Sequence, residues 1–168
     1  MRHVITATVE NRSGVLAHIS ALFSARGFNI DSLTVGRTED PTVSRMTIVA
    51  QGDDQILEQI IKQLRKIIDV IKVQDLSDTQ YVERDLMLLK VNVPPGKRGE
   101  IIEVVDIFRG KVIDVTPRDL VIELSGNEDK LEALVSLMQQ YGIKEMCRTG
   151  SLAMLRGTMS RGSEPSRS

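Results

Sequence analysis

The chain has 168 residues, a 41% hydrophobic fraction and a net charge of −1. That length holds one large domain or two small ones with packed cores, and the near-neutral charge gives no electrostatic argument for nucleic acid or an anionic membrane as partner. Aromatics make up only 3%, so the core has to be built from Ile, Val, Leu and Met.

No apolar run approaches the ~20 residues that span a bilayer. Met1-Arg2-His3-Val4-Ile5 leads directly into a strand pattern, without the architecture of a signal peptide. A single cysteine, Cys147, excludes an internal disulfide. These features predict a cytoplasmic protein.

Along the chain, His3, Ile5, Ala7 and Val9 alternate with Val4, Thr6, Thr8 and Glu10, which predicts a half-buried strand. Ser13 or Asn11 then caps a helix running to about Arg26, with Val15, Leu16, Ile19, Leu22 and Phe23 at helical spacing. Gly27 stops it. Phe28 to about Thr38 reads as a strand, Glu39-Asp40-Pro41 as a turn, and Val43 to Gln51 as the partner strand. Asp53 or Asp54 opens a second helix with Ile56, Leu57, Ile60, Ile61 and Leu64 on one face. Val70 to Leu76 closes the unit. The order is βαββαβ, the split ferredoxin-like arrangement.

The order then repeats. Leu86 to Val93 predicts a strand, Gly99 to Phe108 a helix ended by Gly110, Lys111 to Val115 and Leu120 to Leu124 a strand pair, Asn127 to Gln140 a helix, and a last strand follows near Met146. Leu57, Ile60, Ile61 and Leu64 match Leu131, Leu134, Val135 and Met138, each 74 positions later, and Gly52 and Gly126 share that offset. The fold class predicted is α+β, two tandem ferredoxin-like domains over residues 1–76 and 83–156. Residues 77–82 form a polar linker, and the Ser- and Arg-Gly-rich tail 157–168 is expected to be disordered.

The repeats differ where a ligand would sit. The first carries Glu10-Asn11-Arg12-Ser13-Gly14 ahead of its first helix, and Asn29 enters its second strand. The second carries Pro94-Pro95-Gly96-Lys97-Arg98-Gly99, with Val112 expected where Asn29 would be. A helix start exposes unpaired N–H groups and a partial positive charge, which suits a carboxylate. Gly14 admits a ligand close to the backbone, Ile30 and Val15 can supply an apolar wall, and Asn side chains can hold the rest of a zwitterion. The second predicted strand lies at a sheet edge and has no internal proline, so it is open to pairing with another copy. Such pairing would bring Asn29 of one chain near Gly14 of the other.

Other chemistry finds little support. His3 and His18 are the only histidines, and no His or Cys cluster has metal-ligand spacing. His18 reads as a surface or interface residue, and Cys147 as a packed thiol. Arg12 and Lys97-Arg98 read as solvated loop charges. The acids Asp53-Asp54 and Glu128-Asp129 complement helix macrodipoles. An RNA-binding use of this topology needs stacking aromatics on the sheet, and the central strands offer Ile5, Ala7, Thr47 and Ile48. A small hydrolase of acylphosphatase type has no matching motif, and no phosphate-loop pattern occurs.

Ile5 to Leu16, with Gly27-Phe28-Asn29-Ile30-Asp31-Ser32-Leu33 and Arg45-Met46-Thr47-Ile48-Val49, resembles the ACT domain of acetolactate synthase small regulatory subunits. The resemblance continues at Glu83-Arg84-Asp85-Leu86 and Glu123-Leu124-Ser125-Gly126 and covers about residues 2–156. It implies a non-catalytic subunit that activates the catalytic subunit of acetolactate synthase and confers feedback inhibition by branched-chain amino acids, usually valine. Thiamine diphosphate, magnesium and FAD would belong to that catalytic partner, and this chain would carry no cofactor and no metal. The effector would lie between the ACT domains of a homodimer, on Gly14 and Val15 with Asn11 in the turn, completed by Asn29 and Ile30 of the second chain. A free-standing amino-acid sensor acting on some other enzyme is the alternative.

Overall fold

The computed structural model describes residues 1–157. β1 (Arg2–Glu10), α1 (Val15–Ala25), β2 (Asn29–Arg37), β3 (Val43–Gln51), α2 (Asp54–Arg65) and β4 (Val70–Asp75) form the first unit. β5 (Tyr81–Asn92), α3 (Arg98–Ile107), β6 (Lys111–Val115), β7 (Asp119–Gly126), α4 (Glu128–Met138) and β8 (Ile143–Arg148) form the second. The sheets run β2-β3-β1-β4 and β6-β7-β5-β8, the same order twice. The tandem ferredoxin-like arrangement is therefore present. The expected tail lies outside the described residues, apart from Gly157.

Each sheet buries one face under its two helices. Ile5, Ala7, Val9, Met46 and Ile48 alternate inward and meet Ile19 and Phe23 of α1 and Leu57, Ile60 and Leu64 of α2. Phe23 and Phe28 meet edge to face with ring centroids 6.3 Å apart. A Cβ on Gly52 would stand 2.6 Å from the Phe28 ring, so this position after β3 needs glycine for close approach. The second core repeats the plan with Met87, Leu89, Ile122, Leu131, Leu134 and Met138. All four apolar pairs that share the 74-residue offset pack in or against these cores. Leu64 is fully buried. Leu64→Ala should lower stability by about 2–5 kcal/mol, read as a lower urea midpoint with the slope unchanged.

Three sequence expectations are corrected. The linker is shorter than 77–82, because Tyr81 and Val82 belong to β5. They do so because an unpredicted strand, β9 (Leu152–Leu155), returns to pair Tyr81 with Leu155 and Arg84 with Leu152. This ribbon lies on the outer face of the first sheet. There Val4, Val49, Leu76 and Ala153 form a third, smaller core with Tyr81 against it. The Ser151 N–H donates to Ser32 Oγ at 2.9 Å, and Arg45 donates to the Ala153 carbonyl at 3.0 Å. Arg2 completes the junction by pairing with Glu83 and with Glu128.

The third correction concerns Val112. The chain enters both second strands in the same way: the Phe28 N–H donates to the Phe23 carbonyl and the Gly110 N–H to the Val105 carbonyl, and each strand bulges after its second residue, Ile30 in β2 and Val112 in β6. Val112 therefore corresponds to Ile30 and not to Asn29. Lys111, the first residue of β6, stands where Asn29 stands in β2.

Candidate functional site

The turn before α1 is built by backbone bonds from the neighbouring loop. The Asn11 N–H donates to the Thr42 carbonyl at 2.8 Å, and Asn11 Nδ2 donates to the Pro41 carbonyl at 3.2 Å. That loop is itself fixed by Asp40, which accepts from the Thr42 N–H and hydroxyl. Those two bonds, the hydroxyl first, hold the Asp40 carboxyl below the usual carboxylate range. Arg12 folds back on Glu10 and Asp69.

Gly14 then takes φ 89°, ψ −16°, the left-handed region that glycine enters without penalty. Nothing lies within 4 Å of where its Cβ would be.

Neither Ser13 nor Asn11 caps α1, contrary to the sequence expectation. Gly14 is the N-cap, and no side chain accepts from the first-turn N–H groups. Asn11 has turned its amide to Pro41 instead. The other helices are treated differently. Asp53 caps α2 by accepting from the Gln55 N–H, and Asn127 caps α4 by accepting from Lys130. α2, α3 and α4 all carry acids in the first turn, and α1 has none. Among the described helices only the start of α1 is both uncapped and free of negative charge. Its N–H groups and partial positive charge face an exposed turn.

Val15 does not offer the apolar wall expected of it. Its side chain is 5% exposed and belongs to the first core, which leaves its backbone N–H for a ligand. Ile30 is half-buried against that core, and Asn29 is exposed, with Nδ2 donating to Asp31 Oδ1 at 2.9 Å.

Within one chain the two halves of this set are far apart. Asn29 pairs with Gln51, and Gln51 with Arg2, whereas Glu10 at the other end of β1 pairs with Val43. The eight strand steps between Arg2 and Glu10 span about 26 Å. So Asn11, Gly14 and Val15 share one end of the sheet, and Asn29 and Ile30 the other. β2 is an outer strand of its sheet.

The remaining sequence candidates carry no site. His18 is exposed, and Cys147 is exposed too, not the packed thiol its neighbours suggested. Lys97 pairs with Glu100, and Arg98 donates to the carbonyls of Thr116 and Pro117. Among the described residues no group of His, Cys, Asp and Glu is placed to hold a metal ion, and no helix is long and apolar enough to cross a membrane. Phe23 and Phe28 are interior, which leaves the outer sheet face without the stacking platform that RNA recognition uses.

Comparison with known proteins agrees with this architecture. Residues 5–72 match the family model for the AHAS small subunit-like ACT domain, and residues 84–157 match the model for the small subunit of acetolactate synthase. A probable acetolactate synthase small subunit of Archaeoglobus fulgidus is 54% identical over 157 residues, covering 94% of this chain and 98% of that one. The chain belongs to the acetolactate synthase small subunit family. The Haemophilus influenzae acetolactate synthase small subunit is 48% identical, with 94% and 97% covered. The crystal structure of the Thermotoga maritima acetolactate synthase small subunit superposes with a TM-score of 0.86 at 41% identity, over 95% of this chain and 99% of that one.

Proposed function

We propose that this chain is a non-catalytic regulatory subunit. In that reading it binds and activates the catalytic subunit of acetolactate synthase, and valine reverses the activation. The observation that carries the reading is the start of α1, left uncapped and without a neighbouring acid behind Gly14. A ligand carboxylate supplies what that helix lacks.

The site is completed by a second copy. Antiparallel pairing of two β2 strands about a two-fold axis places Asn29 of one chain beside Arg37 of the other. Arg37 pairs with Ser44, at the Gly14 end of the sheet. Leu16, 44% exposed, and Val35, 45% exposed, are apolar residues that such a pair would cover. Valine then sets its carboxylate on the N–H groups after Gly14, its ammonium near the amide oxygens of Asn11 and Asn29, and its isopropyl group against Ile30.

A wall of this kind separates leucine from valine by only about 1–3 kcal/mol, so cross-response to leucine and isoleucine follows. Coupling to the catalytic subunit needs about 1–3 kcal/mol of difference in effector affinity between two states. Thiamine diphosphate, magnesium and FAD belong to the catalytic partner in this reading.

Calorimetric titration of the full chain with valine tests the site. Saturable binding is expected, weakened at least tenfold in Asn29→Ala with the dimer intact. Wild-type affinity in that variant would remove Asn29 from the site.

A further inference from the structure

The outer face of the first sheet carries a groove separate from the two large cores. It lies between β2, β3 and the β5–β9 ribbon and has a volume of about 1000 Å³. Four arginines line it: Arg37, Arg45, Arg84 and Arg156. Among the described residues none of the four pairs with a carboxylate, although Arg2, Arg12 and Arg148 each engage two. The nearby acids are Glu39 and Asp40, and Asp40 is already bonded to Thr42.

Between the arginines the ribbon turns apolar side chains outward. Ala153 points into the third core, so its neighbours Leu152 and Met154 face away from it, 56% and 62% exposed. Val82 pairs with Met154, and Arg84 with Leu152. Arg45 and Arg84 donate only to backbone carbonyls, those of Ala153 and Glu83. Exposed apolar residues ringed by arginines with no carboxylate partner are what protein interfaces enrich, while a solitary surface normally pairs or solvates its charges and buries such residues. Excess positive charge around an apolar centre selects an occupant with the reverse pattern.

The geometry points to this groove as the docking surface for the catalytic subunit, through a segment of it that presents carboxylates around an apolar centre. This rests on the regulatory-subunit reading, which supplies the partner. One end of the groove is lined by Glu39, Asp40 and Val43, flanking Pro41 and Thr42, whose carbonyls hold the Asn11 turn ahead of α1, so the docked face and the effector site meet at that loop. The ribbon also joins the two units. Ser151, immediately before β9, holds Ser32, three positions after Asn29. An effector-driven shift in β2 therefore has a direct path to the docked face.

The test is association of the full chain with its matched catalytic subunit, measured by sedimentation at several salt concentrations. Arg84→Glu together with Arg156→Glu should weaken association at least tenfold and flatten its salt dependence. Met154→Glu should weaken it at least tenfold too. Arg118→Glu, an exposed arginine of the second unit, should leave it within twofold. Thermal melting verifies that each variant is folded, and Met154→Glu stands in if the double variant is not. Wild-type association kept within twofold in both groove variants would overturn the groove. Equal weakening by Arg118→Glu would also overturn it, because the attraction would then be general. No association of the unmodified chain at all would overturn the regulatory-subunit reading instead.

Discussion

Gly14→Asp is expected to leave the complex active and make it insensitive to valine. The backbone there sits at φ 89°, a region that costs a non-glycine residue about 1–2 kcal/mol, and Asp is among the residues that tolerate it best. No atom lies within 4 Å of the new Cβ, so the strain stays local and the fold holds. The new carboxylate lies at the N-cap of α1, where it accepts from the first-turn N–H groups that now lack a side-chain partner. It therefore occupies the place of the ligand carboxylate and repels it. Losing charge-assisted hydrogen bonds of about 1.5–3 kcal/mol, with the repulsion added, should raise the half-inhibitory valine concentration about 100-fold. Activity without valine should stay within twofold of wild type. The comparison is a valine titration of acetolactate formation by the two complexes, and unchanged potency in the variant would refute the placement of the effector.

Val35→Glu should abolish dimerisation, and the valine response with it. Val35 lies on the outer strand β2 with 45% of its surface exposed, and its partner across the ladder, Met46, belongs to the first core. Its side chain thus stands on the helix-bearing face, at the margin that a second copy would cover. Glutamate costs the lone chain little there, since water solvates it. In the paired form its charge is desolvated without a partner, at several kcal/mol. That penalty occurs twice in a symmetric dimer. Sedimentation should show a monomer at concentrations where wild type is a dimer, with valine binding weakened at least 100-fold because Asn29 and Ile30 no longer reach the start of α1. A dimeric variant with normal valine affinity would move the interface away from β2.

The tandem order was legible because both units bury their helices through runs of Ile, Leu and Val at helical spacing. The repeat of Leu57, Ile60, Ile61 and Leu64 at Leu131, Leu134, Val135 and Met138 is local information. β9 was not legible. Its Leu-Ala-Met-Leu run has no alternation, and its pairing depends on Tyr81–Arg84, far away in sequence. The polarity of Ser77-Asp78-Thr79-Gln80 made a longer linker seem natural for the same reason. The cap of α1 was misread because Asn11 and Ser13 are both favoured cap residues. Only the tertiary bond to Pro41 shows that Asn11 is committed elsewhere. Val112 was set against Asn29 by counting along the sequence, one residue out of step, whereas the bulge that follows it aligns it with Ile30. Gly14 and Asn29 stood out as a turn glycine and a polar strand entry, but their separation along the sheet appears only once the strands are in register.

The most direct measurement is acetolactate formation by the matched catalytic subunit, with and without this chain, across a valine titration. The regulatory reading predicts higher activity when the chain is added and a return toward the unaided rate as valine rises. A rate that the chain does not change, at any valine concentration, would contradict it.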